Sequence, residues 1–200
     1  MKRTMGIMPV LLLLAAVGAA AQEPSQPAAA SSPTLSAAAQ QPQAPEKPVE
    51  EQPPLPRYLE LTSRVGTGAQ PTEAGIRLLA EKGYRSIINI RTSEEMAKLP
   101  YEEKLAAELG MKYFNIPVFG REPKESQALA FLQLMDALKD EKVFVHCAAA
   151  NRAGAFMMIQ RALQDGVDPK TAEQEGEKIG MRSENLRLFA REMIEKHKKQ

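Results

Sequence analysis

From residue 57 onward, short continuous apolar runs alternate with stretches of helical spacing. Val65–Ala69, Ser86–Arg91, Lys112–Val118 and Val143–Val145 are the short runs. Val, Ile and Phe are prominent in them, and Gly, Pro or charged residues bound them, which predicts strands buried on both faces. A helix opened by Gln70-Pro71-Thr72 runs to Lys82, with Ile76, Leu78, Leu79 and Ala80 as its apolar positions and Gly83 as its stop. Tyr101–Leu109 reads as a helix ended by Gly110, and Glu125–Lys139 as one that buries Leu129, Phe131, Leu132, Leu134 and Leu138. From about Gly154 the chain continues as a helix with Phe156, Met157, Met158, Ile159 and Leu163 as its body. Asp168-Pro169 pairs an N-cap with proline at the first helical position, leading a helix to Ile179. Ser183 caps a last helix that turns Leu186, Leu188, Phe189, Met193 and Ile194 inward. This alternation predicts an α/β fold in three layers, with a mostly parallel sheet of about four strands and a helical C-terminal end.

Before residue 57 the pattern is different. Lys2 and Arg3 precede the apolar run Ile7–Val17 and the small residues Ala19-Ala20-Ala21. That order predicts a signal peptide over residues 1–21, cleaved after Ala21 and too short for a comfortable membrane span. Residues 22–56 are rich in Pro, Ala and Gln without a period. Such a segment buries too little apolar surface to offset its ordering entropy, and it reads as a disordered, extended linker. The folded domain is therefore expected over residues 57–200, in a periplasmic or secreted protein with no membrane span after processing.

Charge narrows the function classes. Lys and Arg number 26 against 25 Asp and Glu, there is no Trp, and no basic block is interleaved with aromatics. No nucleic-acid partner is expected on that pattern. The single cysteine, Cys147, excludes an intrachain disulfide framework and any multi-cysteine metal site. Neither a metal nor a cofactor is expected. The terminal Lys196, His197, Lys198 and Lys199 read as a solvated helix end with His197 exposed.

The stretch from Lys142 to Gly154 concentrates the chemistry. A buried strand delivers His146 and Cys147 to a loop, and the loop enters a helix. A helix N-terminus gathers unpaired N–H groups and the positive end of the helix dipole, an environment that favours an anion, the Cys147 thiolate included. Ala148, Ala149 and Ala150 leave the backbone amides accessible and add no competing polar group. Asn151 is the loop residue most tolerant of a left-handed conformation. Ala153 and Gly154 complete the expected anion cradle, and Arg152 offers a planar fork of donors for an oxyanion. Strand ends elsewhere contribute further candidates, because ligands of open α/β sheets bind outside the carboxyl ends of the strands. Arg91 follows one strand, and Arg121 and Glu122 follow another. His146 neighbours Cys147 but points to the opposite face of the strand, so it is expected to tune the thiolate or the loop from behind.

His146-Cys147 with Arg152 after four residues resembles the nucleophile loop of the cysteine-dependent protein tyrosine and dual-specificity phosphatase superfamily. With Gly68-Ala69-Gln70-Pro71 and Tyr84–Arg91 upstream, residues 57–197 resemble the phosphatase-like domain family named after the beta-lactamase hydrolase-like proteins. The resemblance implies a phosphatase-like fold, Cys147 as nucleophile, Arg152 as its catalytic partner, and a phosphocysteine intermediate. Typical protein tyrosine phosphatases place five residues, usually with a glycine, between Cys and Arg. This chain has four, Ala148 to Asn151, without glycine. Four is also the spacing of rhodanese-type sulfurtransferases. The superfamily's usual general acid, an Asp on the loop after the third strand, is missing here, and Glu122 is the candidate substitute. Three readings stay open: a phosphatase, a sulfurtransferase using a Cys147 persulfide, and a silent anion-binding domain. The expected partner is correspondingly a phosphorylated or a sulfur-donor substrate.

Overall fold

A computed structural model describes residues 52–198. The expected signal peptide, nearly all of the linker, and the last two residues lie outside the described residues. The short apolar runs form strands, all but one of the sheet's pairings are parallel, and the sheet order is β1-β2-β5-β3-β4. The strands are β1 (Leu59–Glu60), β2 (Val65–Gly68), β3 (Ser86–Asn89), β4 (Lys112–Asn115) and β5 (Val143–His146). β1 is a short fifth strand beyond the four expected, and it is antiparallel to β2. Every residue of β2, β3 and β5 is buried, as their continuous apolar sequences require. β5 lies at the centre, between β2 and β3, so Cys147 leaves the carboxyl end of the middle strand.

The helices are α1 (Glu73–Glu81), α2 (Ser93–Met96), α3 (Tyr101–Glu108), α4 (Glu125–Ala137), α5 (Asn151–Leu163), α6 (Pro169–Ile179) and α7 (Glu184–His197). Strand periodicity sorts the sheet into two cores. Ile88, Val143 and Val145 face α4, α5, α6 and α7, packing with Phe131, Phe156 and Met158. Ile87 and Phe144 face α1 and α3, packing with Ile76, Leu79 and Leu105. The sheet between two helical faces makes the three layers.

Caps fall where the sequence places them. Thr72, Asp168 and Ser183 accept from the backbone N–H groups of Gly75, Thr171 and Leu186 at the starts of α1, α6 and α7. Four details differ from expectation. β4 stops at Asn115, short of Val118, and as the edge strand it is not buried on both faces. Leu188 of α7 is 48% exposed rather than turned inward. His197 is half-buried rather than exposed, with Nε2 2.8 Å from Oε1 of Glu125. The end of the proline-rich stretch already packs on the domain: the Pro54 carbonyl accepts from Thr72 N–H at 3.1 Å, and the Pro56 carbonyl from Ala69 N–H at 2.9 Å. A Cβ on Gly75 would lie 1.9 Å from the Pro54 oxygen, so only glycine admits this strap against α1.

Candidate active site

Cys147 sits between β5 and a short turn that enters α5 earlier than the sequence predicts. The helix begins at Asn151 rather than near Gly154. The left-handed residue of the turn is Ala150, at φ 64°, not Asn151. Asn151 instead uses its side chain as a clamp, its Oδ1 accepting from Arg182 N–H at 2.8 Å and Ser183 N–H at 3.2 Å. The amides of Asn151, Arg152 and Ala153 are the orphan donors of the first turn. Gly154 N–H already donates to the Ala150 carbonyl at 2.9 Å and is not available to an anion. The role of Gly154 is contact with α6: a Cβ there would lie 2.4 Å from the Gly176 carbonyl oxygen. Gly180, just past α6, makes room for Ala150, since a Cβ on Gly180 would lie 2.9 Å from the Ala150 methyl.

The thiol side chain is almost covered, at 1% exposure. Access is through a cavity of about 440 Å³ lined by Cys147, Ala148, Ala149, Asn151 and Arg152, by Thr92, Glu94 and Glu95, and by Phe119, Gly120 and Arg121. Phe119 is 56% exposed on its rim. A second cleft, of about 510 Å³, lies between α6 and α7 over Met158 and Ile194 and holds no nucleophile.

Arg152 does not present its whole fork to the cavity. Its Nη1 and Nη2 donate to Oε2 and Oε1 of Glu95 at 2.7 Å each, and Nη1 also donates to the Val118 carbonyl at 2.8 Å. Counting donors, Nε–H and one hydrogen of Nη2 remain uncommitted, which is the side edge of the guanidinium. Burial alone would depress the Arg152 cation, but the Glu95 carboxylate and the Cys147 side chain hold it above its ordinary value. Reciprocally, the Arg152 guanidinium pulls Glu95 down to about 2, against the opposing effect of burial and with help from the Thr92 backbone N–H. Glu95 stands on α2, which the sequence reading missed. The signal was there: Thr92 and Glu95 make a reciprocal capping box, recognisable as Thr-x-x-Glu.

The remaining predicted residues divide. Arg91 is 7% exposed, and its guanidinium donates to Oε1 of Gln70 and, at 2.9 Å, to the Glu95 carbonyl. It braces α2 and does not line the cavity. Arg121 does line it. Glu122 is exposed and does not, so the candidate for a general acid is not brought to Cys147. His146 is fully buried behind the loop, as strand alternation requires, and faces Glu102 of α3. Among the described residues, no cluster of His, Cys, Asp and Glu is arranged to hold a metal.

Residues 56–196 match the family described as a DSP-PTPase phosphatase fused to NAD+ kinase. The chain belongs to this family. Curated relatives include beta-lactamase hydrolase-like proteins of Xylella fastidiosa strain 9a5c and Agrobacterium fabrum, 30% and 31% identical over 127 residues. That alignment takes 62% of this chain but only 28% and 29% of those proteins, so the chain spans under a third of their length. A candidate phosphatase (DUF442) from Shewanella putrefaciens CN-32 has a similar structure, with TM-score 0.63, 27% identity, and coverage of 72% of this chain and 94% of that one. TpbA from P. aeruginosa shares the fold at TM-score 0.56 and 17% identity, over 68% and 84% of the two chains. Fold and family together place the domain among hydrolases of the protein tyrosine phosphatase type, which act through a cysteine nucleophile.

Proposed function

We propose that this domain hydrolyses phosphate monoesters through a phosphocysteine on Cys147, in an exported protein. The supporting observation is the joint placement of Cys147, the first-turn amides of α5, and the free side edge of Arg152 around one cavity. The thiolate sulfur attacks phosphorus, an S–P bond forms, and the ester oxygen leaves with its electron pair. Loop amides and Arg152 take the charge of the equatorial oxygens. Water then breaks the S–P bond, releasing inorganic phosphate and restoring the thiolate. Glu95 is a poor proton donor to the leaving oxygen, because its pairing with Arg152 keeps it ionised at neutral pH. That favours esters whose leaving group needs little protonation, such as aryl phosphates. Export rests on the basic, apolar and small-residue order of residues 1–21. Among the described residues, no helix is long and apolar enough to cross a membrane.

The test is mass spectrometry of Cys147 after rapid quench with an aryl phosphate and, separately, with thiosulfate. A phosphate adduct with release of the phenol supports the reading. A persulfide formed only from thiosulfate would replace it with sulfur transfer, which the four-residue Cys–Arg spacing favours as the second reading. Cys147→Ser is expected to abolish turnover while phosphate or vanadate still binds.

A further inference from the structure

Among the described residues, the carboxylates that line the cavity over Cys147 are Glu94 and Glu95, side by side on α2. Glu95 is committed to Arg152 through both of its oxygens. Glu94 is exposed, and its side chain has no ion-pair partner among the described residues. The element that carries it is fixed in place. The Thr92–Glu95 capping box closes the start of α2, and the Arg91 guanidinium donates to the Glu95 carbonyl at 2.9 Å.

The opposite wall, in the loop after β4, brings no carboxylate. It presents Phe119, Gly120 and Arg121 to the cavity. Asn185 of α7 latches that loop, its Nδ2 donating to the Gly120 and Arg121 carbonyls at 3.2 and 3.1 Å. The Glu122 N–H closes a turn on the Phe119 carbonyl at 2.9 Å, and Glu122 stays outside the cavity lining.

Depth separates the two ends of the site. Cys147 is 1% exposed, at the floor of the cavity, whereas Glu94 is exposed, at its mouth. In-line displacement puts the leaving oxygen on the far side of phosphorus from the attacking sulfur, which here is the mouth. With Glu95 held by Arg152, Glu94 is the carboxyl left to serve that oxygen. We propose that Glu94 is a catalytic residue, the general acid for the leaving oxygen. The substrate class then extends from activated aryl esters to phosphate esters of weakly acidic phenols and of alcohols, which leave poorly without a proton. The inference rests on the reading of Cys147 as nucleophile.

The thiolate sulfur forms the S–P bond as the P–O bond breaks. The leaving oxygen keeps that electron pair and takes the carboxyl proton of Glu94, which becomes a carboxylate. Water then attacks phosphorus and gives one proton to Glu94, and the S–P electron pair returns to sulfur. Arg121 across the cavity and Arg152 beside Glu95 are the cations that face this exchange.

The experiment compares kcat/KM for 4-nitrophenyl, phenyl and benzyl phosphate in the full chain, at about pH 5, where an ordinary carboxyl still holds part of its proton. 4-Nitrophenolate leaves readily without help, and the other two do not. Glu94→Gln keeps the outline and removes the proton. It is expected to lower kcat/KM on phenyl and benzyl phosphate by about a hundredfold more than on 4-nitrophenyl phosphate. Glu94→Asp keeps an acid and is expected to recover part of that selective loss. Glu122→Gln is expected to keep the wild-type ratios among the three esters. A merely structural role for Glu94 would lower all three by one factor, and that result overturns the proposal. So does a selective loss that follows Glu122→Gln instead. Rapid-quench mass spectrometry of Cys147 separates this inference from the reading beneath it. A phosphate adduct on Cys147 with an unselective Glu94→Gln loss sinks the role of Glu94 alone. No adduct and no turnover of 4-nitrophenyl phosphate sinks the phosphocysteine reading, and the role of Glu94 with it.

Discussion

Replacing Glu95 by Gln removes the charge from the Arg152 pair and keeps its outline. In the wild type the carboxyl falls from an ordinary 4.5 to about 2, chiefly through the hydrogen bonds from Arg152. Taken at face value, that shift is worth about 3 kcal/mol of folding stability at neutral pH. The Glu95 side chain keeps 30% exposure, and solvent screening reduces the figure to about 1–2 kcal/mol. The sign follows from the depressed folded-state value. The contribution is complete above the unfolded value near 4.5 and is lost as pH falls through the folded value near 2. Glu95→Gln is therefore expected to be less stable by about 1–2 kcal/mol at about pH 7, with the gap at least halved by about pH 3. Urea unfolding followed by far-ultraviolet circular dichroism measures both points. Equal stability at neutral pH would refute the reasoning, as would a gap that stays constant through the acid range. Turnover should fall as well, because a guanidinium released from Glu95 no longer presents a fixed edge to the cavity.

Three further substitutions test the frame around the site. Gly154→Ala drives a methyl into the Gly176 carbonyl, a backbone atom that cannot swing aside, so a loss of about 1–3 kcal/mol and a lower melting temperature are expected. Asn151→Ala leaves the Arg182 and Ser183 amides without their acceptor, which should cost about 1–2 kcal/mol and speed hydrogen exchange at those two amides. Gly75→Ala displaces the Pro54 strap, and limited proteolysis should then cut near Pro54 faster than in the wild type.

The fold was legible because its signals are local. Short β-branched and aromatic runs such as Val143–Val145 read as buried strands, and Thr72, Asp168 and Ser183 announce their helices by side-chain chemistry. β1 was not legible, since two residues, Leu59 and Glu60, carry no period. Within the site, Cys147 and Arg152 could be named from their spacing along one strand–turn–helix. Their partners come from separate elements, and nothing local marks them as partners. Glu95 is announced by a capping box, but its pairing with Arg152, 57 residues away, is purely tertiary. Glu102 sits in an acid-rich segment where only the phase of Leu105 and Ala106 distinguishes it from solvated neighbours. The register of the turn was misjudged for a related reason. Asn tolerates a left-handed backbone, but the Asn151 side chain is engaged by Arg182 and Ser183, so Ala150 takes the strained position.

The close approach of α5 to α6 bears on how far this domain can be cut down. Asn151, Arg152 and Gly154 lie on one helical turn, and each is tied to a different neighbour: Asn151 to the α6–α7 corner, Arg152 to α2, Gly154 to Gly176. The angle at which α5 leaves the sheet is thus set by a tripod whose feet stand on segments distant in sequence. The parallel strands β2, β3, β4 and β5 all precede residue 147, so a fragment ending after α5 would keep every strand pairing. It would lose two of the three feet, and with them the aim of the guanidinium. The C-terminal helices act as the mount of the site, and a minimal version of this domain has to carry them.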